Sequence, residues 1–106
     1  MKRLEAIARL KERADAIKAL GATSLYLFGS SARDEARPDS DLDLFVDYDP
    51  GKKFSLFDLV GIKQFLEDEL GMPVDVTTRD SLHPILREDI EKSAVRVLLR
   101  DRKSVV

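Results

Sequence analysis

The sequence predicts an α/β (α+β) fold, a small mixed sheet flanked by helices. Two segments, 2–20 and 55–70, repeat apolar residues at helical spacing. Between and after them lie short apolar runs at 24–28, 41–46, 72–78 and 94–99, most of them bounded by glycine or proline. With 106 residues the chain has material for one core, so a single domain spanning 1–106 is expected.

Each element has its own local warrant. Residues 2–20 carry Leu4, Ile7, Ala8, Leu10, Ala14, Ile17 and Leu20 on one stripe, and Gly21 is placed to stop the helix. Ser24–Phe28 reads as a buried strand ending at Gly29, with one or two helical turns over Ser30–Glu35. Arg37–Ser40 reads as a loop around Pro38. In 41–46 the alternation puts Leu42, Leu44 and Val46 on one side and Asp41, Asp43 and Phe45 on the other. Residues 47–51 read as a turn. Ser55 and Asp58 have the spacing of a capping box, and Gly71 ends the helix they begin. Gly61, inside that helix, weakens it and is expected to permit a close approach. Met72–Thr78 is the third strand, with Val74 and Val76 inward and Asp75 opposite. Pro84–Lys92 is a short helix, 94–99 a terminal strand and 100–106 a tail.

Composition narrows the chemistry. Charged residues make up 36% of the chain, so much of its surface is solvated charge. There is no cysteine, which excludes disulfides and thiolate metal sites, and a lone histidine, His83, cannot build an imidazole site. A bound metal would therefore be a hard cation on oxygen ligands, Mg2+ or Mn2+. No run approaches the length of a membrane span and the N-terminus lacks a signal-peptide core, so a cytoplasmic protein without a membrane partner is expected. Residues 1–20 hold six basic side chains against three acidic ones, whereas 34–50 hold seven acidic ones against Arg37. A long basic stripe is missing, which argues against strong direct nucleic-acid binding.

The acidic knot coincides with the most informative stretch. Phe28-Gly29-Ser30-Ser31-Ala32-Arg33 is followed by Asp41-Leu42-Asp43, with ten residues between Ser30 and Asp41, and by Asp75 on a later strand. Asp41 and Asp43 would have Cα atoms about 7 Å apart on one strand face, so their carboxylates can lean onto one cation or a close pair. Two magnesium ions about 3.5–4 Å apart can activate a hydroxyl and neutralise a pyrophosphate leaving group. Asp41 and Asp43 suit the bridging role; Asp75 would add a ligand near the acceptor and take its proton. Gly29 lets phosphate oxygens reach backbone amides, Ser30 and the turn after it would hold the β- and γ-phosphates, and Arg33 can reach the same groups. Each piece alone has an ordinary reading: a turn, a charge-protected strand edge, a solvated aspartate, an Arg33–Glu35 or Arg33–Asp39 pair. Their conjunction points to nucleotidyl transfer from ATP.

Gly-Ser, ten residues, then Asp-x-Asp resembles the signature of the DNA polymerase beta-like nucleotidyltransferase superfamily, matched here by Gly29, Ser30, Asp41 and Asp43. Arg33 falls where related enzymes carry a phosphate-contacting arginine, and Asp75 where a third carboxylate is expected. The resemblance covers about residues 20–80 and, given the small size, is closest to the minimal nucleotidyltransferases (MNT), antitoxins paired with HEPN-domain ribonuclease toxins. It implies a polymerase beta palm-like core and a prokaryotic protein adenylyltransferase. Its substrate would be ATP and its acceptor a tyrosine hydroxyl of a HEPN toxin, in a hetero-oligomer with that toxin and a type VII-like toxin–antitoxin pair. Two other functions fit the chain: an antitoxin that neutralises by binding without catalysis, and a small-molecule nucleotidyltransferase completed by a partner subunit. Tyr26, Tyr48, Thr77, Thr78, Arg79 and His83 stay outside the firm site, each with a core, loop or strand-end reading. The apolar residues of helix 55–70, or Val105 and Val106, are the expected contact surface.

Overall fold

The computed structural model describes residues 3–29, 32 and 41–98. The elements run α1 (Arg3–Glu12), α2 (Ala14–Ala19), β1 (Ala22–Phe28), β2 (Leu42–Tyr48), α3 (Leu56–Leu70), β3 (Val74–Thr78), a 3-10 turn (Arg79–Ser81), α4 (Pro84–Ser93) and β4 (Val95–Leu98). The sheet order is β3-β2-β1-β4. β1 is antiparallel to β2 and to β4, whereas β2 and β3 run parallel across the α3 crossover. This is the mixed sheet with flanking helices that the sequence predicts.

The period-two alternation sorts the sheet into two unlike faces. Leu25 and Leu27 of β1, Leu42, Leu44 and Val46 of β2, and Val74 and Val76 of β3 join Ala6, Leu10 and Ile17 of α1 and α2 and Ile62, Leu66 and Leu70 of α3 in the main core. On the other face the rings of Tyr26 and Phe45 stack at 4.8 Å and 12°, with Phe28 tilted against Phe45 at 5.6 Å. Phe45 is fully buried there, outside the main core. Such offset-stacked pairs add stabilisation beyond the area they bury.

α3 begins and ends as its sequence prescribes. The Ser55 hydroxyl accepts from the Phe57 amide at 3.2 Å, and Asp58 Oδ2 accepts from the Ser55 amide at 2.8 Å, a complete capping box. Gly71, left-handed at φ 68, donates its amide to Glu67 O and closes the helix. The Glu67 side chain then secures the next strand: its Oε2 accepts from Lys63 Nζ at 2.8 Å and from the Val74 amide at 3.0 Å. These two donors hold the Glu67 carboxyl below its ordinary pKa, the Lys63 bond most of all.

Several expectations are corrected. The single helix over 2–20 is two, broken at Arg13, whose guanidinium reaches Arg9 O at 2.8 Å and Glu69 at 3.1 Å. β2 runs on through Asp47 and Tyr48, because both pair with β1. Tyr48 is therefore a strand residue, stacked on Phe54 at 4.9 Å, and not a loop residue. Of the apolar residues in 55–70, Leu56 and Val60 are exposed, since Ile62, Leu66 and Leu70 define the buried stripe. Gly61 permits no close approach: a Cβ there would meet nothing within 4 Å. The helical turn expected over 30–35, apart from Ala32, the loop at 37–40 and the tail with Val105 and Val106 lie outside the described residues.

Candidate active site

β-Sheet register gathers the candidate site. Asp43 of β2 lies opposite Phe28 of antiparallel β1 and level with Asp75 of parallel β3. Side chains at paired positions share a face, so Phe28, Asp43 and Asp75 form one row across the sheet, on the face away from the main core. Asp41, exposed, sits just before β2, and the Leu42 amide that follows it donates to Pro73 O at 3.2 Å.

Gly29 closes the row. It ends β1 with φ 75, and a Cβ built on it would lie 2.5 Å from Asp43 Oδ2. The left-handed backbone and the absent side chain together let the main chain lie against the carboxylate. Ala32 is buried in the main core, and its carbonyl accepts from Arg3 Nη1 at 3.3 Å. Arg3 thus ties the N-terminal helix to the segment after the glycine turn. It escapes a sequence reading because its partner is distant in the chain. Ser30 and Arg33, the expected phosphate contacts, lie outside the described residues.

The electrostatics are those of crowded acids. Burial raises the Asp43 carboxyl above the ordinary aspartate pKa, and the charges of Asp75 and then Asp41 raise it further. Asp43 is half-buried, while Asp41 and Asp75 are exposed. Among the described residues no three acidic or histidine side chains are drawn together tightly enough to hold an ion unaided. The oxygen donors nevertheless fit magnesium, which takes one or two carboxylates and completes its shell with water and substrate phosphates. A divalent cation would relieve the repulsion among these three groups.

Behind this row stands an arginine the sequence left at a strand end. Arg79 donates Nε and Nη2 to the two oxygens of Asp47 at 2.8 and 3.0 Å, and Nη1 to Glu91 of α4 at 2.8 Å. Its guanidinium covers the rings of Tyr26 at 4.9 Å and Phe45 at 5.1 Å. Asp47 and Phe45 share a face with Asp43, so the acidic row, the aromatic row and the Arg79 cluster succeed one another along β2. His83 caps α4, its Nδ1 accepting from the Ile85 amide at 3.2 Å. Tyr48 donates to Asp80 Oδ2 at 2.9 Å, which raises its phenol pKa.

The profile of the nucleotidyltransferase domain family matches residues 7–97. The chain belongs to that family. A Methanocaldococcus jannaschii relative named as a candidate protein adenylyltransferase is 46% identical over 78 residues, 74% of this chain and 82% of that protein. The protein adenylyltransferase MntA of Thermococcus cleftensis is 32% identical over 77 residues, 73% of this chain and 76% of its own. Among solved structures, a candidate minimal nucleotidyltransferase superposes with a TM-score of 0.77 at 38% identity, covering 90% of this chain and 95% of the other. At 15% identity and a TM-score of 0.61 the same fold occurs in a complex of a tri-AMPylated Shewanella oneidensis HEPN toxin with MNT antitoxin, covering 90% of this chain and 74% of that one. The minimal nucleotidyltransferase resemblance read from Gly29, Ser30, Asp41 and Asp43 is the family found, and the relatives matched here are named as enzymes, protein adenylyltransferases. No helix among the described residues is long and apolar enough to cross a membrane.

Proposed function

We propose that this chain moves AMP from ATP onto a hydroxyl, a tyrosine, of a partner HEPN toxin, and so acts in the prokaryotic cytoplasm as the antitoxin of the pair. The observation that carries the reading is the Gly29–Asp43–Asp75 row: a glycine backbone against one carboxylate, with a second carboxylate level with it. The AMPylated toxin found with a protein of the same fold supports the choice of acceptor.

Asp43 and Asp75, with Asp41 beside them, would hold the divalent cation, Mg2+ or Mn2+. Bound there, it would offset the triphosphate charge and favour loss of pyrophosphate. Asp75, the exposed member of the row, is placed to accept the acceptor hydroxyl's proton. The Gly29 backbone admits phosphate oxygens that any side chain would exclude. Ser30 and Arg33 would hold the β- and γ-phosphates. With Asp75 exposed, the row is open to water, and a docked partner protein would complete the pocket and favour transfer over hydrolysis.

The test is incubation of the purified chain with the HEPN-type protein encoded beside it, ATP and magnesium, followed by intact mass spectrometry. AMP increments on the partner, mapped to tyrosine and lost in Asp43→Ala and Asp75→Ala, support the proposal. Full neutralisation by an Asp41→Ala/Asp43→Ala variant that leaves the partner unmodified would replace it with the binding-only reading.

A further inference from the structure

A second site lies at the opposite end of the sheet. A cleft of about 230 Å³ is lined by Lys18, Gly21, Thr23, Lys52, Lys53 and Phe54, with Ala22 and Asp49 completing it. Its walls are the end of α2, the start of β1 and the loop after β2. β1 spans the distance to Gly29, about 20 Å at a strand's rise per residue. The cleft is therefore separate from the acidic row.

Its lining concentrates cations. Many cations of the chain are matched with acids: Arg9 with Glu5, Arg13 with Glu12 and Glu69, Lys63 with Glu67, Arg79 with Asp47 and Glu91, Arg87 with Glu91, Lys92 with Glu88, whereas Lys11 and Arg96 stand singly in the sequence without such a pair among the described residues. Lys18, Lys52 and Lys53 have no such ion pair among the described residues, and all three line the one cleft. The carbonyl end of α2 accounts for Lys18, since a cation is favoured there. It does not account for two adjacent lysines on the facing wall, where like charges repel. Asp49, the acid of the cleft, already accepts from the Gly51 amide at 2.9 Å.

The cleft is also built rather than incidental. Gly21 has φ 117, and a Cβ there would come within 2.9 Å of the Phe54 ring, which itself stacks on Tyr48. The missing side chain lets the Phe54 ring seat against the Gly21 turn, and Phe54 directly follows Lys52 and Lys53 in the chain. The Thr23 hydroxyl adds a neutral donor.

We infer that this cleft binds a small phosphate anhydride or phosphate ester, of the size of pyrophosphate, through Lys18, Lys52 and Lys53. A cleft of about 230 Å³ fits a compact anion better than a nucleic-acid strand.

The test is a proton–nitrogen NMR titration of the full chain with inorganic pyrophosphate, without divalent metal and at constant ionic strength. The expected result is a common saturating shift of the Gly21, Thr23 and Phe54 amides, with a dissociation constant of about 1 mM or tighter. Lys52→Ala/Lys53→Ala should weaken it at least tenfold while the rest of the spectrum stays dispersed, and Lys18→Ala should weaken it separately. Equal response to chloride, shifts confined to the Gly29 and Asp43 region, unchanged affinity in the double variant, or tighter binding of a short single-stranded RNA would each overturn the inference. AMP transfer by the double variant should persist, so failure here is distinguishable from failure of the proposed function.

Discussion

Gly29 and Asp43 lie so close together that a change at either one is felt in the fold. Gly29→Ala forces an L residue into φ 75 and puts its Cβ 2.5 Å from Asp43 Oδ2. The variant should lose AMP transfer and also stability, by about 1–3 kcal/mol, checked by label transfer and denaturant melts. Asp43→Asn should do the reverse to stability. The folded-state pKa of Asp43 is raised, so the native protein binds that proton more tightly than the unfolded chain. Its favourable contribution is complete below the unfolded pKa and is lost as pH rises through the folded one. Ionised Asp43 therefore destabilises the metal-free fold at neutral pH. Asp43→Asn should melt higher than the parent at pH 7, and the gap should close as the pH falls below the ordinary aspartate range. An equal or lower melting point at neutral pH would refute the account of crowded acids.

At the scale of elements, α3 positions the site by carrying the crossover from β2 to parallel β3. Its capping box is local chemistry, and Ser55→Ala should cost about 1 kcal/mol in a urea melt. Gly61, by contrast, serves no contact: with nothing within 4 Å of an added Cβ and a helical backbone, Gly61→Ala should stabilise by about 0.5–1 kcal/mol. Transfer activity should be unchanged in both variants. The first turn of the same helix leaves Phe57 87% and Leu56 73% exposed. The helical period marked Leu56 as apolar surface without separating core from contact, because both are written in the same residues.

The molecule as a whole is braced on its second face by charge and aromatic rings. Arg79 joins β2 through Asp47 and α4 through Glu91, and lies over Tyr26 and Phe45. No residue of α4 is fully buried, so this cluster is its principal polar tie to the sheet. Arg79→Met should destabilise by about 2–3 kcal/mol, leaving Asp47 without its partner and Glu91 with Arg87 alone. Amide exchange in α4 should rise more than in α3. Arg79→Lys should recover part of the loss, limited by the missing fork. Glu91, held below its ordinary pKa chiefly by Arg79, adds stability above the unfolded carboxylate range that disappears as the pH falls through its folded value.

What the amino-acid order alone determined was local: the alternation of β2 and β3, the capped and glycine-ended α3, the glycine after β1, and three aspartates set opposite apolar residues. Those features arise from periodicities of two and 3.6 and from backbone preferences within a few residues, so they are legible without a partner. The break at Arg13, the extension of β2 and the roles of Arg3 and Arg79 were not legible, because each depends on groups brought close only by folding. Tertiary structure alone decided that β3 lies parallel beside β2 in the register that sets Asp75 level with Asp43, with Gly29 against them. Slipping that register by one residue would turn Val74 and Val76 out of the core. Burial of these valines against Leu42 and Leu44 is thus the physical reason the carboxylates meet.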